Sequence, residues 1–233
     1  MECWTVVGSN GKHSNQDASQ RKQKDSGSYS EDYGFPWAEF EGILASDPDH
    51  QYMKALSSIS RFISKRVGSH NTISCLGVGR FATSIESRAQ LALVMLLRTR
   101  LGITEPIRMY DPAFTVNEAQ FIAQRTELTL VSEEDAYPPS ALLFCPHTPP
   151  VVNARASMVP GATVLCNDLT VYVDRQVSEE GKAKLRPCLD ALARRMSVVA
   201  VETVKSMPES VRRAVGGLAV QRFRQDGDLE AED

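Results

Sequence analysis

The chain has no surplus of charge: 26 Lys+Arg stand against 29 Asp+Glu, a formal net charge of −3 over 233 residues. Coating nucleic acid or an anionic membrane requires a basic excess, so nucleic acid is not an expected partner. Long hydrophobic runs are also missing. The longest, Leu91 to Leu97, is far short of the ~20 residues that cross a bilayer. Glu2, Asn10 and Lys12 interrupt any charged-then-apolar leader, so a soluble, non-secreted protein with no membrane partner is expected. The five cysteines, Cys3, Cys75, Cys145, Cys166 and Cys188, are odd in number, widely spread and without a Cys-x-x-Cys pair. That excludes a disulfide scaffold and points to reduced thiols in the cytoplasm or nucleus. Neither a G-x-S-x-G elbow nor a phosphate-binding P-loop occurs.

What is present is an ordinary globular composition, 42% apolar and 24% charged, enough to build a core in a domain of ~150 residues or more. Residues 8–34 contain no Leu, Ile, Val, Phe or Met, so this stretch has little to bury in return for becoming ordered. We expect three parts: a mobile polar tail at 1–34, one α/β domain at 35–225, and an acidic frayed tail at 226–233. Arg21-Lys22-Gln23-Lys24 reads as part of the solvated tail, with a weak nuclear-import or phosphate-contacting patch as the alternative.

From residue 47 the chain alternates helical and extended patterns. Asp47 and Pro48 open a helix whose apolar stripe, Tyr52, Leu56, Ile59, Ile63 and Val67, ends at Lys65-Arg66 and Gly68. A strand at Thr72–Leu76 leads to Gly77-Val78-Gly79. A box of Thr83 with Glu86 then starts a helix, apolar on most faces, running to about Leu101. Ile107–Tyr110 is a second strand, and Thr115 with Glu118 boxes a helix to about Arg125. Leu128–Val131, Ala141–Cys145 and Thr163–Cys166 read as further strands. A helix over Ser178–Arg195 bent near Pro187, a strand over Val198–Val204 and a helix begun by Ser206 and Pro208 complete the pattern. Alternation of this kind predicts a Rossmann-like α/β fold, a mostly parallel sheet with helices on both faces. Right-handed crossovers then put every strand's carboxyl end on one edge.

Ligands of open α/β sheets sit at that edge, among helix amino termini. The residues following the strands here suit such a place: Gly77, Gly79 and Ser84, then Asp111 and Glu118, then His147, then Asn167 and Asp168. These eight are the candidate ligand-binding residues for a small molecule or a protein partner. Gly77-x-Gly79 with Ala82 keeps the G-x-G-x-x-A form of a dinucleotide turn, and Asp111 stands where an acid would accept from a ribose. The same residues also read as a tight turn and a turn cap. Cys145-Pro146 has the form of a short haem-regulatory site with an axial thiolate, and equally that of a buried strand cysteine. Cys145, His147 and Cys166 lack the short paired spacings of structural zinc, and no metal site is expected.

The stretch Ile73–Ala82 (ISCLGVGRFA) with Ser84, Arg88 and Gln90-Leu91 resembles the opening of the Sensitivity-to-Red-light-Reduced domain. Tyr110-Asp111-Pro112-x-Phe114 with Glu118 resembles its second signature, and Leu130-Val131-Ser132-Glu133 and Pro146-His147 also fit. Trp4-Thr5-Val6-Val7 is similar to the segment that often precedes the domain. The resemblance spans about residues 73–168 well and the remainder loosely. It implies a regulatory protein, in a family whose members are connected with the circadian clock and light signalling in plants, haem metabolism in animals and microtubule stability in fungi. It settles no enzymatic activity. The reading is therefore a regulatory protein of circadian, light or haem-linked processes, with a nucleotide- or S-adenosylmethionine-dependent transferase as the alternative.

Departures from the family pattern sit at defined places. Thr148 stands where the family has a cysteine after its histidine, and the Asn-rich segment ending in Asn-Trp is shortened to Val151–Ser157. The flanks of Asn167-Asp168 differ, and Val215-Gly216-Gly217 before Phe223 replaces a Phe-Asn-Asp motif. The arginine cluster after the Trp segment is diluted to Arg21, Lys22 and Lys24.

Overall fold

Hydrophobic periodicity becomes structure first in α1, Gln51–Val67, which buries Leu56, Ile59, Ile63 and Val67 on one face. It ends at Gly68, whose φ of +79° is reached without strain only by glycine. A computed structural model of the chain describes residues 51–174, 183 and 185–224. Asp47 and Pro48, both expected tails and the opening of the helix expected at Ser178 lie outside the described residues.

Then follow β1 (Ile73–Leu76), α2 (Ile85–Arg100), β2 (Ile107–Tyr110), α3 (Val116–Ala123), β3 (Leu128–Leu130) and a short 3₁₀ turn at Glu134–Ala136. The second half comprises β4 (Leu142–Cys145), α4 (Pro150–Ser157), β5 (Thr163–Asn167), α5 (Thr170–Asp174), α6 (Arg186–Ala193), β6 (Arg195–Ala200), α7 (Glu209–Val215) and β7 (Leu218–Phe223). The sheet order is β3-β2-β1-β4-β5-β7-β6. β1 to β5 are parallel, with Cys75 opposite Met109 on one side and Phe144 on the other. Strand order therefore reverses between β1 and β4.

Side chains of the central strands point alternately to the two faces and feed two cores. Ile73, Cys75, Leu142, Phe144 and Leu165 pack under α1, α2, α3 and α7. Leu76, Leu143, Cys145, Val164 and Cys166 pack under α4 and α6. Helices on both faces and a Rossmann-like sheet are thus as the alternation predicts.

The expectation that every strand ends on one edge fails at β7, which is antiparallel to both β5 and β6. The sequence reading has no strand there, because Gln221, which is buried, and Arg222, which is exposed, interrupt the apolar run of Leu218–Phe223. The penultimate strand also starts earlier than expected, at Arg195 rather than Val198, and stops at Ala200. Pro187 does not bend a helix. It lies in the first turn of α6, where its missing N–H costs nothing. At α2 the cap is Ser84, which accepts from Ser87 N at 3.1 Å, not Thr83. The box at α3 forms as expected between Thr115 and Glu118.

The loops after β1 and β2 are joined by an aromatic wedge. Phe81 is fully buried, 5.6 Å edge-to-face from Phe114 and 5.8 Å from Phe121. Phe81→Ala is expected to cost ~3–5 kcal/mol of unfolding free energy, measured by urea denaturation. A cost below ~1 kcal/mol would mean the wedge does not hold these loops.

Candidate binding site at the carboxyl edge of the sheet

Beyond β1 the backbone turns through Gly77 and Gly79 at φ of +70° and +76°. Gly77 N donates to Tyr110 O at 3.1 Å, folding the turn over the end of β2. Gly79 N donates to Asp111 Oδ2 at 2.6 Å, and Ala113 N donates to Oδ1 at 2.8 Å. Burial raises the Asp111 pKa above the ordinary carboxylate value; the N–H groups of Ala113 and Gly79 pull it back and the Glu118 charge adds to the rise. Both oxygens of the predicted ribose acceptor thus already hold the turn, each keeping one lone pair.

Glu118 is fully buried beneath this turn. Its Oε1 accepts from Ala82 N at 2.8 Å, and its Oε2 accepts from Thr115 N at 2.8 Å and Thr115 Oγ1 at 2.9 Å. It clasps the β1–α2 loop to the start of α3 and has no surface to offer a ligand. Ser84 is likewise occupied as a helix cap, also donating to Glu86 Oε2 at 3.2 Å.

A second group forms across β4, β5 and α7. His147 is exposed and has φ of +51°, a left-handed conformation that non-glycine residues adopt only when surrounding contacts require it. Its Nε2 lies 3.1 and 3.2 Å from the carbonyl oxygens of Arg213 and Ala214 at the end of α7. Two acceptors demand a donor, so Nε2 carries the proton. Nδ1 then accepts from Asn167 Nδ2 at 3.3 Å, while His147 N donates to Asn167 Oδ1 at 3.4 Å. Buried Gln90 adds Nε2 as a second donor to Ala214 O, at 2.9 Å. Unpaired carbonyls at the α7 terminus thereby gain partners from two other elements.

Asp168 faces away from His147, toward β6. Its Oδ1 accepts from Thr170 N at 3.0 Å and from the Arg195 guanidinium at 2.7 Å. Burial opposes its charge, but the Thr170 and Arg195 hydrogen bonds outweigh that and lower its pKa. Arg195 also donates to Gln221 Oε1 at 3.3 Å, whose Nε2 donates to Asn167 O at 3.1 Å.

Between the Asp111 and His147 groups stands Thr148. A Cβ added to Gly77 would come within 2.2 Å of Thr148 Cγ2, so the β4 loop packs directly on the glycine at the switch point. Thr148 Oγ1 lies 2.5 Å from Asn153 Oδ1 and 3.2 Å from Cys145 O, and Thr148 O accepts from Tyr172 at 3.2 Å. Burial pushes the Tyr172 hydroxyl up to about 12. The sequence reading names none of Thr148, Asn153 and Tyr172 as site residues. Thr148 and the Val151–Ser157 segment holding Asn153 enter the sequence reading only as departures from the family pattern, and an Asn in the middle of α4, where its helix propensity is poor, is a further signal. The structure therefore joins Gly77 and Gly79 with Asp111, and His147 with Asn167. Glu118 and Ser84 lie under the first pair, and Asp168 faces the far side of the second.

Cys145 does not fit an axial haem ligand: its side chain is fully buried, facing Cys166 on β5, and burial keeps its thiol protonated. Among the described residues no three His, Cys, Asp or Glu side chains gather as a metal site. Nor is any helix among them long and apolar enough to cross a membrane.

Two outcomes test this geometry. Gly77→Ala should destabilise by ~2 kcal/mol or more, from left-handed strain plus the methyl clash. Gly77→Ala in a Thr148→Ser background should recover the clash portion alone, read as a positive coupling in a double-mutant cycle. For Asp168, a lowered folded-state pKa means stability present above the ordinary value of 3.8 and lost as pH falls through the folded value. Asp168→Asn should therefore flatten that acid limb of the stability–pH curve and cost ~1–2 kcal/mol at pH 7.

Compared with known proteins, residues 50–221 match the model of the SRR1 domain, the same family that the motifs around Gly77, Asp111 and His147 resemble. No curated protein and no solved structure matches the chain. The match covers well over half of the sequence, and the chain belongs to the SRR1 domain family.

Proposed function

We propose that this SRR1-domain protein is regulatory, holding a small ligand or a protein partner at the carboxyl edge of its sheet in circadian, light or haem-linked control. The observation that carries the reading is His147. It is exposed, held in a left-handed backbone conformation, and fixed through both ring nitrogens by Asn167 and the end of α7. An exposed side chain locked in this way presents a shaped, polar surface. It is poorly arranged for proton transfer to or from a substrate, since both ring nitrogens already have partners within the protein. The buried, reduced thiols Cys75, Cys145, Cys166 and Cys188 accord with a cytoplasmic or nuclear setting.

A nucleotide- or S-adenosylmethionine-dependent transferase is the second reading. In its favour, the glycine turn and Asp111 meet at the switch point between β1 and β4. Against it, the Thr148 methyl occupies the space beside Gly77 through which a ligand would approach the turn. If a nucleoside cofactor does bind, Gly77, Gly79 and Asp111 are the residues that would hold it, by backbone approach and a ribose hydrogen bond.

His147→Ala and Asp111→Ala, each checked for folding by circular dichroism, should fail to complement a null strain. Full complementation by both folded variants would overturn the regulatory-edge reading. A thermal-shift series with NAD, ATP and S-adenosylmethionine decides the second reading. A bound cofactor at ~100 times its dissociation constant should add ~2.7 kcal/mol, and no shift with any of them removes the transferase.

A further inference from the structure

α1 carries the cations Lys54, Arg61, Lys65 and Arg66 and no aspartate or glutamate between Gln51 and Val67. Lys54, Arg61 and Lys65, with Ser58 between them, are exposed on one helix face, opposite the buried stripe of Leu56, Ile59, Ile63 and Val67. Neighbouring cations are engaged elsewhere. Arg66 lies 3.6 Å over the Phe62 ring and donates to Phe62 O at 2.9 Å. Arg100 donates to the hydroxyls of Ser57 and Ser60, each at 2.6 Å. No carboxylate of the described residues pairs with Lys54, Arg61 or Lys65. Solvated helix faces usually alternate the sign of their charge, and this one does not.

The last strand delivers the end of the described chain to the same helix. Arg222 on β7 donates through Nη2 to Arg66 O at 3.0 Å, and a Cβ added to Gly68 would lie 3.3 Å from that nitrogen. Two residues later the ladder makes its final bond, from Arg224 N to Arg194 O at 2.8 Å. Residues 225–233, which follow, read QDGDLEAED and hold Asp226, Asp228, Glu230, Glu232 and Asp233 with no cation. Every second residue from Asp226 to Glu232 is acidic, and in an extended chain such residues share one side at intervals of ~6–7 Å. Nine extended residues reach ~30 Å. Lys54 to Lys65 spans only ~16 Å along the helix, and Arg61 and Lys65 stand one turn apart.

We propose that the acidic segment 226–232 of this chain docks along the basic face of α1, running from Lys65 towards Lys54. Its row of carboxylates meets Lys65, Arg61 and Lys54 in turn, starting from the point where β7 already touches the end of the helix. Each exposed ion pair is weak by itself. Tethering through Arg224 makes the contact intramolecular, so a high effective concentration holds it without a large interface. The contact is therefore reversible and sensitive to salt, and a free polyanion reaches the α1 face only by displacing the segment.

Carbodiimide, which joins a carboxylate to an amine in contact with it, reads the docking in the full chain. At low salt, mass spectrometry should find links within one chain from residues 226–232 to Lys54 or Lys65. In ~1 M NaCl, where charges are screened beyond ~3 Å, these links should fall at least ~10-fold. Arg61→Glu/Lys65→Glu, checked for folding by circular dichroism, should lose the link to Lys54. Adding Asp228→Lys/Glu230→Lys to that variant should restore linkage, with amine and carboxylate exchanged between helix and segment. Arg186→Glu reverses an exposed charge on α6 and should leave the links unchanged. A wild type without such links, links that survive salt or persist in Arg61→Glu/Lys65→Glu, links found only between two chains, or an equal loss in Arg186→Glu overturns the proposal. So does a chain that gives no link and instead binds phosphatidylserine vesicles or an oligonucleotide through Arg61 and Lys65.

Discussion

Where a strand leaves the sheet, its loop carries N–H groups that no longer have a ladder partner, and a buried N–H without an acceptor costs ~1–3 kcal/mol. At the carboxyl edge of this sheet the acceptors are side chains. Asp111 takes the N–H groups of Gly79 and Ala113, Glu118 those of Ala82 and Thr115, and Asp168 that of Thr170. Asn167 takes the N–H of His147. The requirement that these amides be satisfied places the acids and amides of the family motifs, and most of the site follows from it.

The motif residues consequently divide by role. Glu118 and Ser84 are enclosed or committed to helix starts. Asp111 is half turned outward and keeps lone pairs, while its raised pKa reflects the energy held in keeping a charge beneath the turn. His147 alone combines exposure with a fixed ring. Thr148 fits the same pattern: its methyl locks the β4 turn against Gly77, so the two halves of the edge behave as one surface.

The reversal of β7 has consequences away from that surface. Because β7 runs antiparallel between β5 and β6, Gln221 can reach Asn167 and Arg195 can reach Asp168, which ties the site to the far end of the sheet. The same reversal leaves β6 outermost, beyond the cover of α4 and α6. A strand rich in valine that would be an ordinary buried element in the middle of the sheet is instead the last strand of the sheet among the described residues.

How much of this can be read without coordinates depends on whether the cause is local. Helix stripes, the Thr115/Glu118 box and the alternation that makes a Rossmann-like sheet rest on neighbours within a few residues, and they read correctly from the chain. β7 does not, since Gln221 is buried by partners on β5 and β6 that lie 26 or more positions away. Ser84 replaces Thr83 as the cap, with the N–H groups of both residues turned back on Arg80 O and Ser84 left as the extended residue before the helix. The candidate residues after the strands were legible as a group because topology alone brings strand ends together. Which of them point outward was decided only in three dimensions, by the long-range search of each buried amide and carbonyl for a partner.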